Sequence, residues 1–185
     1  IKIIIPYFGA FPPYFALFLR SCAINSEVEF HIFTDQSALP PCPQNVVVHE
    51  LPFSALRALM QKKLGLRDKA LRVLTPYKLC DCKPAYGVIF EDHLQDADFW
   101  GFCDVDLIFG RIFDLLSMEE VQKSERVLTQ GHLTLYRNSP RMNRLFEQPI
   151  AGGIAFRRAI EIAEPCFFDE IFMPAICRAQ GVIQY

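Results

Sequence analysis

Apolar residues follow two rhythms along this chain of 185 residues, and the points where the rhythm changes predict its elements. Ile1 to Ile5 is a short β-branched run ended by Pro6, the pattern of a fully buried strand. "PYFGAFPP" then reads as a loop, and Tyr14 to Asn25 places apolar residues at helical spacing. "VEFHIFTD", Val28 to Asp35, predicts a second strand, and "VVVHEL", Val46 to Leu51, a third beyond the proline-rich "ALPPCPQN". A polar helical stretch follows from Ser54 to Leu66. Thr75 and Pro76 signal the start of another helix in "TPYKLCDCKPAYGVIFEDHL", which Pro84 must end or kink. "DFWGFC", Asp98 to Cys103, is the fourth strand. Arg111 to Glu125 is amphipathic, "RVLTQGHLTLYRN" holds a strand and a second extended segment, and "SPRMNRLFEQ" opens a helix behind Ser139 and Pro140. The opening order of strand, helix, strand, strand suits a doubly wound α/β sheet.

Residues 3 to 19 carry no charge, yet Pro6, Gly9, Pro12 and Pro13 interrupt them too often for a membrane-spanning helix, and no cleavage pattern follows. A chain of this length fits one domain and can bury roughly 70% of the surface it exposes unfolded. Half the residues are hydrophobic and 22% are charged, so the composition is globular. The net charge of -2, with no basic run, argues against a nucleic-acid surface. Seven cysteines at irregular spacing, with no C-x-x-C, read as reduced thiols in a cytosolic protein. A zinc set would have to be gathered from Cys103, His93 and His132, which the spacing does not favour. A start at Ile1 and an end at "GVIQY" read as a single domain, residues 1–185, trimmed at one or both ends.

The chemistry concentrates in "WGFCDVDLIFG". Asp104 and Asp106 follow the fourth strand, whereas Asp96 and Asp98 repeat the same D-x-D spacing just before it. Ligands of parallel α/β sheets bind outside the carboxyl ends of the strands, so only the second pair stands on the expected face. In extended backbone the two side chains project to one side and can share a hard divalent cation, magnesium or manganese. The spacing alone is equally compatible with a solvated turn. The apolar setting of Phe99, Trp100, Phe102, Leu107, Ile108 and Phe109 favours a pair that needs a countercharge.

With "IIIPYFG", "FTD", "YKLCDCKPAYG", "FWGFCDVDLIFG" and "GHLTLYRN" together, the chain resembles nucleotide-sugar glycosyltransferases of the GT-A fold. More closely, it resembles a little-characterised bacterial family associated with capsule and lipopolysaccharide assembly. The likeness covers Ile1 to Asn138 and thins beyond it. It implies a GT-A-like, Rossmann-like domain with a mostly parallel central sheet flanked by helices. It also implies a UDP-linked donor, a glycan or lipid-linked glycan acceptor, and a cytoplasmic place at the inner face of the membrane with peripheral association. Pro6, Tyr7 and Phe8 would border the donor base, with Thr34 and Asp35 near base or ribose. Lys78 would meet the nucleotide or its phosphates, with Asp81 one helical turn away; the alternative is a solvent-facing lysine, with Asp81 its partner or that of Lys83. Asp104 and Asp106 would hold the Mn2+ or Mg2+ that bridges the donor phosphates.

On the acceptor side the resemblance places His132 and Thr134, although a histidine on an apolar strand also reads as a structural residue. Asp169 and Glu170 of "FFDE" would supply the base of an inverting transfer, or they are an acidic pair favourably placed at a helix N-terminus. Many GT-A enzymes add a late metal-binding histidine, and none follows His132 here. Two other readings stay open. One is a D-x-D phosphohydrolase of the haloacid-dehalogenase type, whose motif usually sits on the first strand. The other is a catalytically inactive sugar-nucleotide-binding domain.

Overall fold

A computed structural model describes residues 1–129 and 132–185. The chain runs through β1 (Lys2–Pro6), α1 (Phe15–Ala23), β2 (Glu29–Thr34), β3 (Val46–Glu50), α2 (Phe53–Leu64) and α3 (Asp68–Val73). A 3-10 stretch, Tyr77–Ala85, leads into α4 (Tyr86–Ile89) and a second 3-10 turn, Glu91–His93. Then come β4 (Phe99–Cys103), α5 (Ile112–Leu115), α6 (Met118–Lys123), β5 (Arg126–Val127), β6 (Leu133–Arg137), α7 (Pro140–Asn143), α8 (Phe156–Ala159) and α9 (Phe168–Ala179). The strands form a six-stranded sheet in the order β3-β2-β1-β4-β6-β5.

The α/β class is as the sequence predicts, but the sheet is mixed rather than mostly parallel. β1, β2, β3 and β4 pair in parallel, whereas β6 lies antiparallel between β4 and β5. Chain length explains the reversal. Only segment 128–132 separates β5 from β6, and a parallel return needs a crossover of a dozen residues or more.

Both faces of the sheet are covered, so strands that read as continuous apolar runs in fact alternate. Ile4, Phe33 and Phe102 enter one core with α2, α4 and α9. Ile3, Ile5, Phe30 and Ile32 enter the other with α1. Full burial of a Phe or Ile side chain contributes roughly 1.5–3 kcal/mol, whereas a four-residue helix such as α4, α5, α7 or α8 is unstable alone. The two cores therefore hold the short helices. Glycine admits the closest approaches: a Cβ on Gly101 would meet Thr134 O at 2.3 Å, and one on Gly87 the Trp100 ring at 2.5 Å. The glycine of "KPAYG" thus seats α4 on β4.

Two predicted helices take other forms. Thr75 does accept a hydrogen bond from Lys78 N at 3.2 Å, yet the segment beyond it winds as 3-10, with Pro84 inside it, before one α turn. Pro84 brings no N–H and crowds the carbonyl a turn back, so α geometry resumes only after it. The amphipathic stretch 111–125 breaks at Leu116 and Ser117, both extended, and Ser117 Oγ caps α6 by accepting from Glu120 N. α3 lies where the sequence pattern predicted no element. Among the described residues, no helix is long and apolar enough to cross a membrane.

Candidate functional site

In this strand order the chain turns in opposite directions on leaving β1 and β4, and a crevice opens outside their carboxyl ends, where open α/β sheets bind ligands. The cleft there has a volume of about 610 Å3. Pro6 lines it from the end of β1, Tyr7 and Phe8 from the loop that follows, and Asp104 and Asp106 from the loop after β4. Asp169 and Glu170 enter from the first turn of α9, and Lys83 and Cys80 from the 3-10 stretch. Asp104 and Asp106 do not stand on extended backbone as the D-x-D reading required. β4 ends at Cys103, and Val105 and Asp106 form a turn that buries Val105 and exposes Asp106.

Lys83 organises the floor of the cleft. Its ammonium lies 2.8 Å from Asp104 Oδ1 and 3.5 Å from Asp169 Oδ2, and 5.2 Å from the centre of the Phe102 ring. Burial works against its charge, but Asp104 and Asp169 more than offset this, and its pKa is raised. Asp169 is buried, its side chain 3% exposed, and among the described residues its Oδ2 accepts no hydrogen bond. Lys83 stands at ion-pair range of that oxygen and compensates its charge only in part. Burial therefore pushes the Asp169 carboxyl up to about 6, against the partial compensation of Lys83. Cys80 is no nucleophile here, since burial lifts its thiol to about 11.

Five residues before Lys83 is a second lysine, differently placed. Lys78 Nζ lies 2.6 Å from Asp81 Oδ2, with the two side chains 1% and 0% exposed, and it donates to Glu164 O at 2.6 Å. Asp81 accepts from Cys166 N at 2.9 Å and from Phe168 N at 2.8 Å. Those two N–H groups bracket Phe167, which holds φ 52, a left-handed conformation unfavourable to a bulky residue. The sealed pair thus clamps the strained turn that delivers Asp169 to the cleft. The expected contact of Lys78 and Asp81 with a nucleotide is corrected: neither lines the cleft, and Asp81 is the partner of Lys78.

The chain belongs to DUF6625, a family of unknown function, which it matches over residues 3–185. No curated protein and no solved structure matches it.

The remaining expected residues of this DUF6625 chain scatter. Thr34 is buried, its hydroxyl accepting from Gln36 N at 3.2 Å, and it does not line the cleft. Asp35 is exposed and accepts from Gln36 Nε2 at 2.9 Å and from Gly9 N at 3.2 Å, which hold its carboxyl below the usual range. It fastens the loop after β1 at Gly9, whose φ of 94 favours glycine. His132 is exposed beside the acidic pair, Nδ1 3.3 Å from Asp104 Oδ2, because antiparallel pairing sets its carbonyl 3.0 Å from Asp104 N. Thr134 is fully buried opposite Phe102 and cannot face a sugar. Gly131, at the head of the same motif, lies outside the described residues.

The upstream pair sits elsewhere. Asp96 binds Lys2 Nζ at 2.6 Å on the opposite edge of the strands, and Asp98 O accepts from Asn138 N. Lys83 stands inside "YKLCDCKPAYG" with nothing in the motif to mark it as a site residue. Its distance from Asp104 and Asp169 along the chain left no local signal.

Proposed function

We propose that this chain is a metal-dependent glycosyltransferase with a GT-A-like fold. It moves a sugar from a nucleoside-diphosphate donor, UDP-linked, to a glycan or lipid-linked glycan acceptor in bacterial surface polysaccharide synthesis. The observation that carries the reading is the convergence of Asp104, Asp106, Lys83 and Asp169 on a cleft at the carboxyl ends of β1 and β4.

Asp104 and Asp106 offer hard carboxylate oxygens to that cleft, donors that fit magnesium or manganese. Such an ion, when bound, would stabilise the negative charge on the departing diphosphate. The fixed Lys83 ammonium contributes positive charge to the same place and holds Asp104. Asp169, with a pKa of about 6, is a carboxylate at neutral pH and basic enough to take an acceptor hydroxyl's proton. Glu170, the alternative base, is exposed at the rim of the cleft. Tyr7 and Phe8 offer apolar surface for the base.

One observation favours a second reading, a sugar-nucleotide-binding domain without turnover: Lys83 already neutralises much of the acidic charge. Thermal-shift screening of nucleoside diphosphates and their sugars, with and without manganese, tests both. Ligand at a hundredfold excess over Kd stabilises the native state by about 2.7 kcal/mol. A manganese-dependent shift with one nucleotide, abolished by Asp104→Ala with Asp106→Ala, is expected. The absence of a shift with every nucleotide, or an equal shift in that variant, overturns the proposal. A shift without release of nucleoside diphosphate selects the second reading, and phosphate released from simple esters selects a phosphohydrolase.

A further inference from the structure

Three of the four histidines, none of them in the cleft, meet at the edge of the sheet. β2 and β3 pair in register with Phe33 opposite His49, so His31, two residues before Phe33, and His49 project from the same face. Their rings stack with centroids 5.1 Å apart, and His31 Nδ1 lies 2.9 Å from His49 Nε2. His93 closes the group from the 3-10 turn Glu91–His93, its ring 4.7 Å from His49 and edge-on to it. One nitrogen from each of the three can be chosen so that all lie within 4.8 Å of one another. Among the described residues this is the grouping of three ligand side chains compact enough for a metal ion.

We propose that His31, His49 and His93 form a zinc site, independent of the acidic cleft, that ties the edge strand β3 and its neighbour β2 to the turn ahead of β4.

Three imidazole nitrogens suit zinc and not the magnesium or manganese that carboxylates select. Zinc–nitrogen bonds of about 2.0–2.1 Å in tetrahedral array place ligand nitrogens about 3.4 Å apart, so the group needs only small side-chain shifts. A second observation points the same way. Glu29 accepts from His31 Nε2, which fixes the proton on that nitrogen and turns the Nδ1 lone pair toward the cluster. A carboxylate behind a ligating histidine is the usual orienting partner of such sites. Without metal, His49 carries its single ring proton on Nε2 and donates it to His31 Nδ1; when the ion binds, that proton passes through solvent to His49 Nδ1, which frees the Nε2 lone pair for the metal. Burial lowers the pKa of all three rings, that of His49 to about 4, so their lone pairs are available at neutral pH. The surrounding charges are mixed, with Glu29 and Asp92 against Lys2 and Lys63, and set up no net field against a cation. His49 and His93 are only half-buried, which leaves the fourth position open to water.

Titration of the chelator-treated full chain with Co2+, followed by Zn2+ competition, tests the assignment. One ion per chain with the visible bands of tetrahedral nitrogen coordination, displaced by Zn2+, is expected. His49→Ala or His93→Gln should weaken binding by at least about 100-fold, and Glu29→Gln by roughly 10–100-fold. Asp104→Asn with Asp106→Asn, and Cys42→Ser at the exposed thiol, should leave affinity unchanged. No stoichiometric binding, thiolate-to-cobalt charge transfer, or full affinity in His93→Gln overturns the proposal. His93 lies on a half-buried turn, and far-ultraviolet circular dichroism confirms that its variant is folded; a Zn2+-dependent rise in Tm of the unmutated chain, absent from His93→Gln, is a readout independent of the spectra.

Discussion

Two lysine–aspartate groups lie on the same 3-10 stretch, and they differ in one physical respect. Around Lys78 and Asp81 every donor meets an acceptor, and water is excluded. Around Lys83, Asp104 and Asp169 the charges also pair, but Asp104 is 33% exposed and, among the described residues, Asp169 Oδ2 accepts no hydrogen bond. A satisfied buried pair has nothing left to offer a ligand and serves as a clamp. An incompletely satisfied one, open to a cleft, keeps binding capacity at the cost of stability. The lysine that looked like the ligand contact is the clamp, and the one read as a mere partner stands at the cleft.

The sharpest way to break this contrast is Asp81→Ala. It leaves Lys78 buried and unpaired, strips two N–H groups of their acceptor, and frees the left-handed Phe167. A loss of about 3–5 kcal/mol is expected by urea denaturation, with little folded protein at 37 °C.

Asp169→Asn should act in the opposite direction. The folded carboxyl titrates near 6 against an ordinary value of 3.8, so between those values the folded state binds more protons than the unfolded one. Stability is lost as pH rises through that window, and the full penalty stands above it. The amide removes the penalty, so the variant should gain on the order of 2 kcal/mol at pH 7.5, nothing below pH 4, and lose turnover. Paired thermal melts at the two pH values check the sign. Equal shifts at both would show that Asp169 is not strained by burial.

Lys83→Met should have the smallest effect on stability, within about 1 kcal/mol at pH 5, because Asp169 can stay protonated and the methionine fills the space. Without the ammonium the Asp169 carboxyl should titrate higher still, and carbon-detected NMR of that carboxyl would report it. A carboxyl that titrates unchanged in Lys83→Met would separate Lys83 from the site.

Much of the fold could be read from the chain because it depends on local pattern. β1, β2 and β4 follow from β-branched and aromatic runs closed by Pro6, Asp35 and Asp104, β3 from the valine run that ends before Pro52, and the strand-end rule set Asp104 apart from Asp96. Less was readable wherever a distant partner overrides local preference. The Thr75 cap and helical spacing predicted an α-helix, but Pro84 and the docking of residues 77–85 against α9 select 3-10. Thr134 alternates correctly along β6, but the face it occupies is set by the pairing of β6 with β4, which buries it. His31 and His49 gave no signal because each stands alone in its strand.

The sequence by itself determined the α/β class, the first four strands, and the delivery of Asp104 and Asp106 to the carboxyl end of β4. Periodicity and turn residues act over a few positions, and those features need nothing more. Tertiary structure alone decided the reversal of β6, the division of labour between Lys78 and Lys83, the burial of Asp169 beside Lys83 and the meeting of three histidines. Each of these depends on groups far apart in the chain, whose charges and hydrogen bonds acquire partners only when the sheet and α9 have closed around them.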